Sequence, residues 1–409
     1  MSEAHILASV RTGRGKARPG GGLATVPPLR LVQTLLAALA ERTGLEPEQV
    51  DDVVLGSASQ TGAQGGNLAR TALLAMGWPT TVPGQTVNRF CASGVDAVAT
   101  AAALVRSGQA DLVVAGGVES VSYVPMFADQ GPLWADEDVV EAIGSVHMGI
   151  AADVVATEQR FTREELDAYA LVTHERAARA RFEGLHDEVI VPVRDETGRV
   201  LLDRDEHIRE DLTAATVANL KPAFAELGAA GQDQLVLRHL PELGEVRHLH
   251  TRATSPALAD ASALVLVGSA TAAERTGIAP VARIVGSASA GADPVRMLVA
   301  GQHAVEKVVA RAGLVVADLG VLEFAEAFAA MCLKIQRDHG LDGDVFNRNG
   351  GTIATGHAFG ATGAILTGAC ARELARTGRR YGVAAVSGAA GLGSAVLLEN
   401  VNHSNGMGA

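Results

Sequence analysis

Val87-Asn88-Arg89-Phe90-Cys91-Ala92-Ser93-Gly94 places a cysteine directly before an alanine-rich run that ends at Arg106-Ser107-Gly108. Apolar residues recur in that run at helical spacing, at Val95, Val98, Ala102 and Val105. Gly108 supplies a stop, and residues 111–115 then predict a buried strand. Cys91 is therefore expected at a helix N-terminus, where unpaired N–H groups and the positive end of the helix dipole favour the thiolate that a nucleophile needs.

Length and composition predict an α/β protein of at least two lobes. The chain has 409 residues, 48% of them hydrophobic, and 46 glycines, which suits many tight strand-to-helix turns. The formal net charge of -12 argues against a nucleic-acid or anionic-membrane surface. A phosphate-bearing ligand would therefore need a local basic patch, for which the candidates are Lys16, Arg18, Arg209 and Lys221.

Cysteine usage and the chain start predict a soluble cytoplasmic protein. The three cysteines, Cys91, Cys332 and Cys370, form no CxxC or Cys/His cluster at metal spacing, so no metal site is expected. The start lacks a basic n-region, and we find no uninterrupted apolar stretch long enough to span a bilayer. No membrane association is expected.

Periodicity also locates the regular elements outside the cysteine segment. Strands are predicted at 6–10, 50–55, 263–267 and 383–386, and helices at 29–43, 67–76 and 364–376. The basic, glycine-bearing segment 11–18 lacks P-loop spacing, so we expect it to be a solvated loop.

The segment 118–250 interrupts the regular alternation with prolines and charged runs, and we interpret it as an insertion that covers the site. Within it, residues 164–182 predict an amphipathic helix. Its expected packing side consists of Leu166, Tyr169, Ala170, Val172 and Ala177.

The last third of the chain repeats short sequence features of the first third. Gly44-Leu45 and Arg106-Ser107-Gly108 correspond to Gly313-Leu314 and Arg376-Thr377-Gly378 at nearly the same offset. At that offset from Cys91 lies Gly356-His357, again on a glycine-bearing approach to a helix. A free cysteine alone is more often a buried hydrophobe than a nucleophile. If two similar halves pack around a pseudo-dyad, however, Cys91 and His357 face each other across the junction.

Several unrelated motifs, in order along nearly the whole chain, resemble the thiolase family of CoA-dependent enzymes that make or cleave 3-ketoacyl-CoA. The matching stretches are Val10-Arg11-Thr12, 87–94, Ala115-Gly116-Gly117-Val118-Glu119-Ser120, His147-Met148-Gly149, Leu220-Lys221-Pro222-Ala223-Phe224, Glu326-Ala327-Phe328-Ala329, 347–351, Gly356-His357 and Gly360-Ala361-Thr362-Gly363.

The resemblance implies a mechanism. Cys91 would take the acyl group of an acyl-CoA as a thioester, and His357 would activate it and help hold the thioester oxygen of the second substrate. The glycine-bearing turn after the last long strand, including Gly388, would offer N–H groups to an oxyanion.

Two positions depart from the family pattern. Ala325, before Glu326, stands where thiolases usually carry an asparagine that orients a water, and Ser387 stands where they carry a second, acid/base cysteine. Serine is a poor base at neutral pH. One reading is a working thiolase in which His357 or Glu326 takes over the proton. The alternatives are a decarboxylating or other non-standard acceptor, or a non-catalytic scaffold; a hydrolase using Ser387 would need a GxSxG elbow, which is missing.

By the same resemblance, CoA would be bound largely by the insertion. Residues at corresponding places are Arg209, Thr216, Ser255, His147 and Met148. The segment 251–260 departs from the family pattern and contains Pro256, so pantetheine contacts there are altered or the carrier is a protein-borne pantetheine.

The expected fold is therefore thiolase-like, with five α/β/α/β/α layers in which each half contributes a mixed sheet. The predicted parts are an N-terminal half (1–117 and 251–270), the inserted loop domain (118–250), a C-terminal half (271–401) and a tail (402–409). Acyl-CoA is the expected substrate, with no permanently bound cofactor, and the resemblance implies a homodimer or homotetramer in lipid metabolism.

Overall fold

A computed structural model describes residues 2–404 of the chain, and the predicted tail from 405 onward lies outside the described residues. The strands are β1 (Ala4–Arg11), β2 (Gly15–Lys16), β3 (Asp52–Gly56), β4 (Gln85–Val87), β5 (Leu112–Ser120), β6 (Val193–Arg194), β7 (Val200–Leu202), β8 (Ala259–Gly268), β9 (Ala282–Gly291), β10 (Val321–Phe324), β11 (Tyr381–Gly388) and β12 (Leu392–Asn400).

The helices lie between these strands, singly or in consecutive runs, except the last, which follows β12. They are α1 (Pro28–Thr43), α2 (Leu68–Ala75), α3 (Ser93–Ser107), α4 (Pro132–Ala135), α5 (Glu137–Ile143), α6 (Met148–Glu158), α7 (Arg163–Phe182), α8 (Ala214–Ala218), α9 (Ala225–Leu227), α10 (Asp233–His239), α11 (Ala270–Thr276), α12 (Ala300–Arg311), α13 (Ala329–His339), α14 (Thr352–Thr355), α15 (Phe359–Thr377) and α16 (Val401–Ser404). The elements predicted from periodicity are confirmed, with bounds shifted by a few residues, and Gly108 ends α3 in the left-handed conformation.

The strand pairing confirms the duplication. In the first half β3 pairs parallel with β5, β5 antiparallel with β8, and β8 antiparallel with β1. The second half repeats this order, with β10 parallel to β11, β11 antiparallel to β12, and β12 antiparallel to β9. Where the halves meet, β1 pairs antiparallel with β9 over three positions, so the two expected sheets form one hydrogen-bonded sheet.

Side-chain alternation along the strands builds the layers. In β5, Leu112 and Val114 pack in one core with α1 and α2, whereas Val113 and Ala115 pack in a central core with α3 and α15. In the second half, Val383 of β11 packs in a third core with α6, α7, α12 and α13. The layers are therefore, in order, outer helices, one half of the sheet, central helices, the other half of the sheet and outer helices. The central core lies between the two halves of the sheet, and each of the other two cores lies under one outer layer. This arrangement confirms the five-layer fold.

The central helices approach each other backbone to backbone at their N-termini. A Cβ on Gly94 of α3 would lie 2.6 Å from the Gly360 oxygen, and one on Gly363 of α15 would lie 2.3 Å from the Val95 nitrogen. A side chain at either position would push the two N-termini apart. These two glycines therefore let the residues before α3 and α15 share one site.

The segment 11–18 differs from the expected solvated loop. Arg11 donates to both oxygens of Asp205 (2.7 and 3.0 Å), and Arg14 donates to the same carboxylate (3.0 Å). All three side chains are buried. The segment therefore anchors the insertion to the first half, a role that a count of basic residues does not reveal.

Four of the five residues predicted for the packing side of α7, Leu166, Tyr169, Ala170 and Ala177, are buried, and one was predicted incorrectly. Val172 is 38% exposed, and Thr173 is buried in its place, because its hydroxyl donates to the buried Glu326 carboxylate. The exact domain boundaries stay predictions; β5 continues to Ser120 and β8 begins at Ala259, so the insertion connects these two strands.

Length and composition alone would allow two helices to span a bilayer, although each contains charged residues and neither is the uninterrupted apolar stretch whose absence was predicted. Two stretches, Phe90–Ser107 and Glu137–Glu158, are long and apolar enough to do so, and 56% of each is buried inside the protein. Buried core helices commonly satisfy the same criterion, and α3 belongs to the central core.

Candidate active site

Cys91 lies two residues before α3 in a tight turn closed by Ser93. The Ser93 hydroxyl accepts from the Arg89 N–H (2.8 Å) and donates to the Phe90 oxygen (2.6 Å). Phe90 has a positive φ of 47°, a conformation that costs energy for a non-glycine residue. The turn therefore holds the thiol at the N-terminus of α3, as the sequence predicted.

His357 lies two residues before α15 and is fixed through its backbone and its ring. Its N–H donates to Ala257 (2.8 Å) and its oxygen accepts from Ala259 (3.2 Å). Its Nδ1 is 2.9 Å from the Thr362 hydroxyl, which itself donates to the Ala358 oxygen (3.2 Å). Because that hydroxyl has only one proton, Nδ1–H must be the donor to Thr362, and Nε2 carries a free lone pair.

The structure brings the predicted pair together. Cys91, His357 and Ser387 line one cavity of about 210 Å³, together with the predicted CoA contacts His147, Met148 and Ser255. Arg209 and Thr216 are exposed and are not part of this lining; the Arg209 N–H donates to His174, and the Thr216 N–H donates to Thr213 at the start of α8. The roles assigned to all of these residues stay predictions.

The thiol is not the thiolate that the helix dipole was expected to favour. Burial, with the nearby Glu119, raises the pKa of Cys91 to about 12, although the N–H groups of Cys91 and Ala389 oppose the shift. Burial and the charge of Arg14 lower the pKa of His357 to about 4. Desolvation thus outweighs the dipole, and thiol and imidazole are both neutral at pH 7.

Ala389 belongs to the turn after the last long strand that was predicted to offer N–H groups to an oxyanion. The backbone N–H groups of Ala389 and Cys91 both lower the pKa of the Cys91 thiol against the effect of burial, so they lie near its sulfur, where they would also reach the oxygen of an acyl group carried by Cys91. Gly388 is the last residue of β11 and has an extended conformation, and its role as an oxyanion donor stays a prediction.

Ser387 has its hydroxyl fully engaged. Its Oγ donates to the Leu298 oxygen (2.6 Å) and accepts from the Gly301 N–H (3.1 Å). Leu298 lies just before α12 and Gly301 is its second residue, so Ser387 fastens the start of α12 to β11. A hydroxyl with its only proton committed to a carbonyl is poorly placed to exchange protons with a substrate.

Glu326 and Ala325 offer no replacement. The Glu326 oxygens accept from Tyr169 (2.7 Å), Thr173 (2.9 Å), Asn347 (3.1 Å) and the Ile353 N–H (3.0 Å). Glu326 is fully buried and is not among the residues that line the cavity. It connects α7, β10 and α14 rather than facing a substrate, and Ala325 is buried with no polar side-chain atom.

Glu119 is a residue that the motif alone did not explain. From the end of β5 it accepts from Ala58 (2.8 Å), Ser59 (3.2 Å), Gln64 (2.6 Å) and the Gly360 N–H (3.0 Å). It thereby satisfies an orphan N–H in the first turn of α15 and ties the two halves together beside the site.

A second, larger cavity of about 420 Å³ also reaches Cys91. It extends toward α4 and α5 and shares Met126, His147, Met148 and Phe359 with the smaller one. Within residues 2–404, no group of three or more histidine, cysteine, aspartate or glutamate side chains could hold a metal ion.

Comparison with known proteins agrees over both halves. The family model of the thiolase N-terminal domain matches residues 4–232, and that of the thiolase C-terminal domain matches residues 278–400. The chain is 35% identical to an acetyl-CoA acetyltransferase of Chromobacterium violaceum, covering 97% of this chain and 99% of that protein. It is 37% identical to a beta-ketoadipyl-CoA thiolase of Pseudomonas knackmussii, with 98% and 99% covered.

A crystal structure of the Bacillus anthracis acetyl-CoA acetyltransferase superposes with a TM-score of 0.84 at 34% identity, covering 98% of this chain and 99% of that chain. These similarities do not favour a decarboxylating enzyme, a different acceptor or a non-catalytic scaffold. The chain therefore belongs to the thiolase family and is an acyltransferase of the thiolase type.

Proposed function

We propose that this protein interconverts 3-oxoacyl-CoA and shorter acyl-CoA through an acyl group on Cys91, with His357 as the one proton carrier for both halves of the reaction. The observation that carries the proposal is the engagement of Ser387. Its hydroxyl is held by Leu298 and Gly301, so it is not available as the second acid/base group.

The two histidines of the smaller cavity hold their protons at opposite ring positions. His147 Nδ1 accepts from the Gly149 N–H (3.0 Å), so in the neutral ring the proton is on Nε2. Burial lowers the pKa of His147, which keeps that ring neutral. His147 can therefore donate a hydrogen bond to a substrate oxygen, whereas His357 Nε2 can accept a proton.

In thiolysis, the Cys91 thiol gives its proton to His357 Nε2 as the sulfur attacks the 3-oxo carbon. The oxyanion would form beside the N–H groups of Cys91 and Ala389, which line one cavity. Cleavage of the bond between C2 and C3 then sends its electron pair to C2. The imidazolium, a strong acid because its pKa is lowered, returns the proton to C2 and releases acetyl-CoA.

Free CoA completes the cycle. Its thiol proton moves to His357, its sulfur attacks the acyl-Cys91 carbonyl, and the departing Cys91 thiolate recovers the proton from His357. Each half thus uses and restores one proton, and no other side chain has to titrate. The reverse sequence gives the condensation.

The CoA contacts at Arg209, Thr216, Ser255, His147 and Met148 are part of this proposal. Three of them line the cavity beside Cys91, and Arg209 is an exposed cation available to a phosphate.

We also propose that the protein is a cytoplasmic homodimer or homotetramer in lipid metabolism. The three cysteines are free thiols, which suits a reducing compartment. Strand β4 is an edge strand just before Cys91, where another copy could pair. Light scattering coupled to gel filtration tests the assembly; a monomer across concentrations would contradict it.

Steady-state thiolysis of 3-oxoacyl-CoA by the purified protein tests the single-carrier mechanism. We expect His357→Ala to lower kcat/KM by about 10³-fold or more, and Ser387→Ala to change it by less than about threefold. A loss for Ser387→Ala comparable with that for His357→Ala, in a variant that retains its unfolding midpoint, would show that the serine transfers a proton.

A further inference from the structure

The larger cavity at Cys91 is built to hold something apolar. Its volume of about 420 Å³ is a little under three times that of a cavity of roughly 150 Å³ lined by aliphatic side chains, which takes up benzene. An acetyl group on Cys91 would leave most of it empty. Three apolar side chains of its lining are partly exposed to solvent: Leu133, Trp134 and Val140. An apolar ligand in the cavity would shield them from water.

Aromatic side chains are concentrated here, although the chain has few of them. The whole sequence contains nine phenylalanines, two tryptophans and three tyrosines. Phe90, Phe127, Trp134 and Phe359 line this cavity. Trp134 packs 5.5 Å from Phe90 and 5.0 Å from Phe127 between ring centroids, and its Nε1 donates to Asp129 (3.1 Å), which fixes the indole plane. Such ring faces favour flat apolar groups.

The backbone around the cavity is held in costly conformations. Seven of the described non-glycine residues have a positive φ, and four of them, Phe90, Phe127, Gln130 and Ala390, line this cavity. Each costs energy that surrounding contacts must offset, and such residues cluster where a binding surface is shaped. The wall is therefore a formed surface rather than a gap between loops.

Charge defines what the cavity excludes. None of the described residues that line it is aspartate, glutamate, lysine or arginine, and His147 is neutral. An acyl chain ending in a carboxylate would lose its hydration without gaining a counter-ion. Such a chain is disfavoured here, although some relatives are named for a beta-ketoadipyl substrate.

We propose that the acyl group carried by Cys91 is uncharged, apolar and at least as large as a phenyl ring. This inference rests on the proposed function, because it assigns the acyl donor of that same site. The cavity beside the thiol receives the chain, while the smaller cavity with His357 receives the thioester end.

Binding separates this inference from the proposed chemistry. Unreactive thioethers of CoA, S-(4-phenylbutyl)-CoA, S-ethyl-CoA and S-(5-carboxypentyl)-CoA, are titrated calorimetrically into the intact protein. We expect the phenyl compound to bind about 50-fold more tightly than either of the others. Dissociation constants within about threefold of one another would overturn the inference, whatever the protein catalyses. If the phenyl compound binds about 50-fold more tightly but the protein turns over no 3-oxoacyl-CoA, the inference about the cavity holds and the proposed function is contradicted.

The same preference should appear in kcat/KM, and it should depend on the side chains that line the cavity. The ratio of kcat/KM for a phenyl-terminated 3-oxoacyl-CoA to that for acetoacetyl-CoA should be about 100-fold in the native protein. Trp134→Ala should reduce this ratio at least about tenfold, and Leu133→Arg should raise kcat/KM for the substrate with a terminal carboxylate. Phe182→Ala removes a ring that is 93% exposed on α7 and should leave the ratio unchanged. A ratio near one in the native protein, or a ratio insensitive to Trp134→Ala, would contradict the inference.

Discussion

At the scale of single residues, the chemistry of the site depends on the protonation states of Cys91 and His357 before substrate binds. The Thr362 hydroxyl holds the proton of His357 on Nδ1, and burial keeps Cys91 as a neutral thiol. The pair therefore becomes reactive only when proton transfer and attack are coupled.

The reactivity of Cys91 toward iodoacetamide should report its raised pKa. Only the thiolate is alkylated, so below a pKa of about 12 the rate should rise about tenfold per pH unit, with no plateau between about pH 7 and pH 10. Mass spectrometry of the Cys91 peptide measures the rate, and Cys91→Ser provides the blank. A plateau below about pH 9 would mean that the helix N-terminus outweighs burial after all.

Thr362→Val should misplace the proton of His357 without touching substrate. We expect kcat/KM to fall between about 10- and 100-fold, part of the roughly 10²–10⁴-fold that a positioned general base contributes. Thr362→Ser keeps the hydroxyl and should retain most of the activity. Equal losses in both variants would indicate packing rather than control of the ring tautomer.

At the scale of elements, the site exists because α3 and α15 begin at the same place. Glu119 reaches across to the first turn of α15, and the glycines of both helices remove side chains from the crossing. The chemistry of the residue pair is thus tied to one helix contact.

Gly363→Ala should separate the helix N-termini. Its Cβ would lie 2.3 Å from a backbone nitrogen of α3, so we expect a loss of about 1–3 kcal/mol in the free energy of unfolding, together with reduced thiolysis. Gly286→Ala in β9, where the added Cβ meets no atom within 4 Å, is the matched control. Denaturant unfolding and activity measure both effects; normal values for Gly363→Ala would show that the contact can relax.

At the scale of the whole molecule, a buried carboxylate, Asp205, is one of the groups that fasten the insertion to the first half. Asp205 receives Arg11 and Arg14, whose guanidinium groups hold its pKa well below the usual range despite burial. Removing one partner of such a cluster leaves buried charge uncompensated.

Asp205→Asn should lower the free energy of unfolding by about 3 kcal/mol at neutral pH. Because the folded pKa of Asp205 is depressed, its contribution is complete above the unfolded value of about 4 and is lost as the pH falls through the folded value. The difference between native protein and variant should therefore shrink below about pH 4 in urea titrations. A difference independent of pH would assign the effect to packing.

Local sequence patterns predicted many of the helices and strands of this molecule. They could not predict contacts between residues that are far apart in the sequence. Helical spacing located α3, and the repeated glycine approach to a second helix indicated His357 as the partner of Cys91. The hydroxyl partners of Ser387 could not be foreseen, because Leu298 and Gly301 are far from it in sequence. The raised thiol pKa and the burial of Arg14 were missed for the same reason: both follow from desolvation, which only the packed structure sets.

The most direct test of the central claim is peptide mapping by mass spectrometry after a single turnover of a 3-oxoacyl-CoA without free CoA. We expect the acyl mass on Cys91 in the native protein and in Ser387→Ala, and almost none in His357→Ala. An acyl group on another residue, or equal labelling of Cys91 when His357 is absent, would contradict the account.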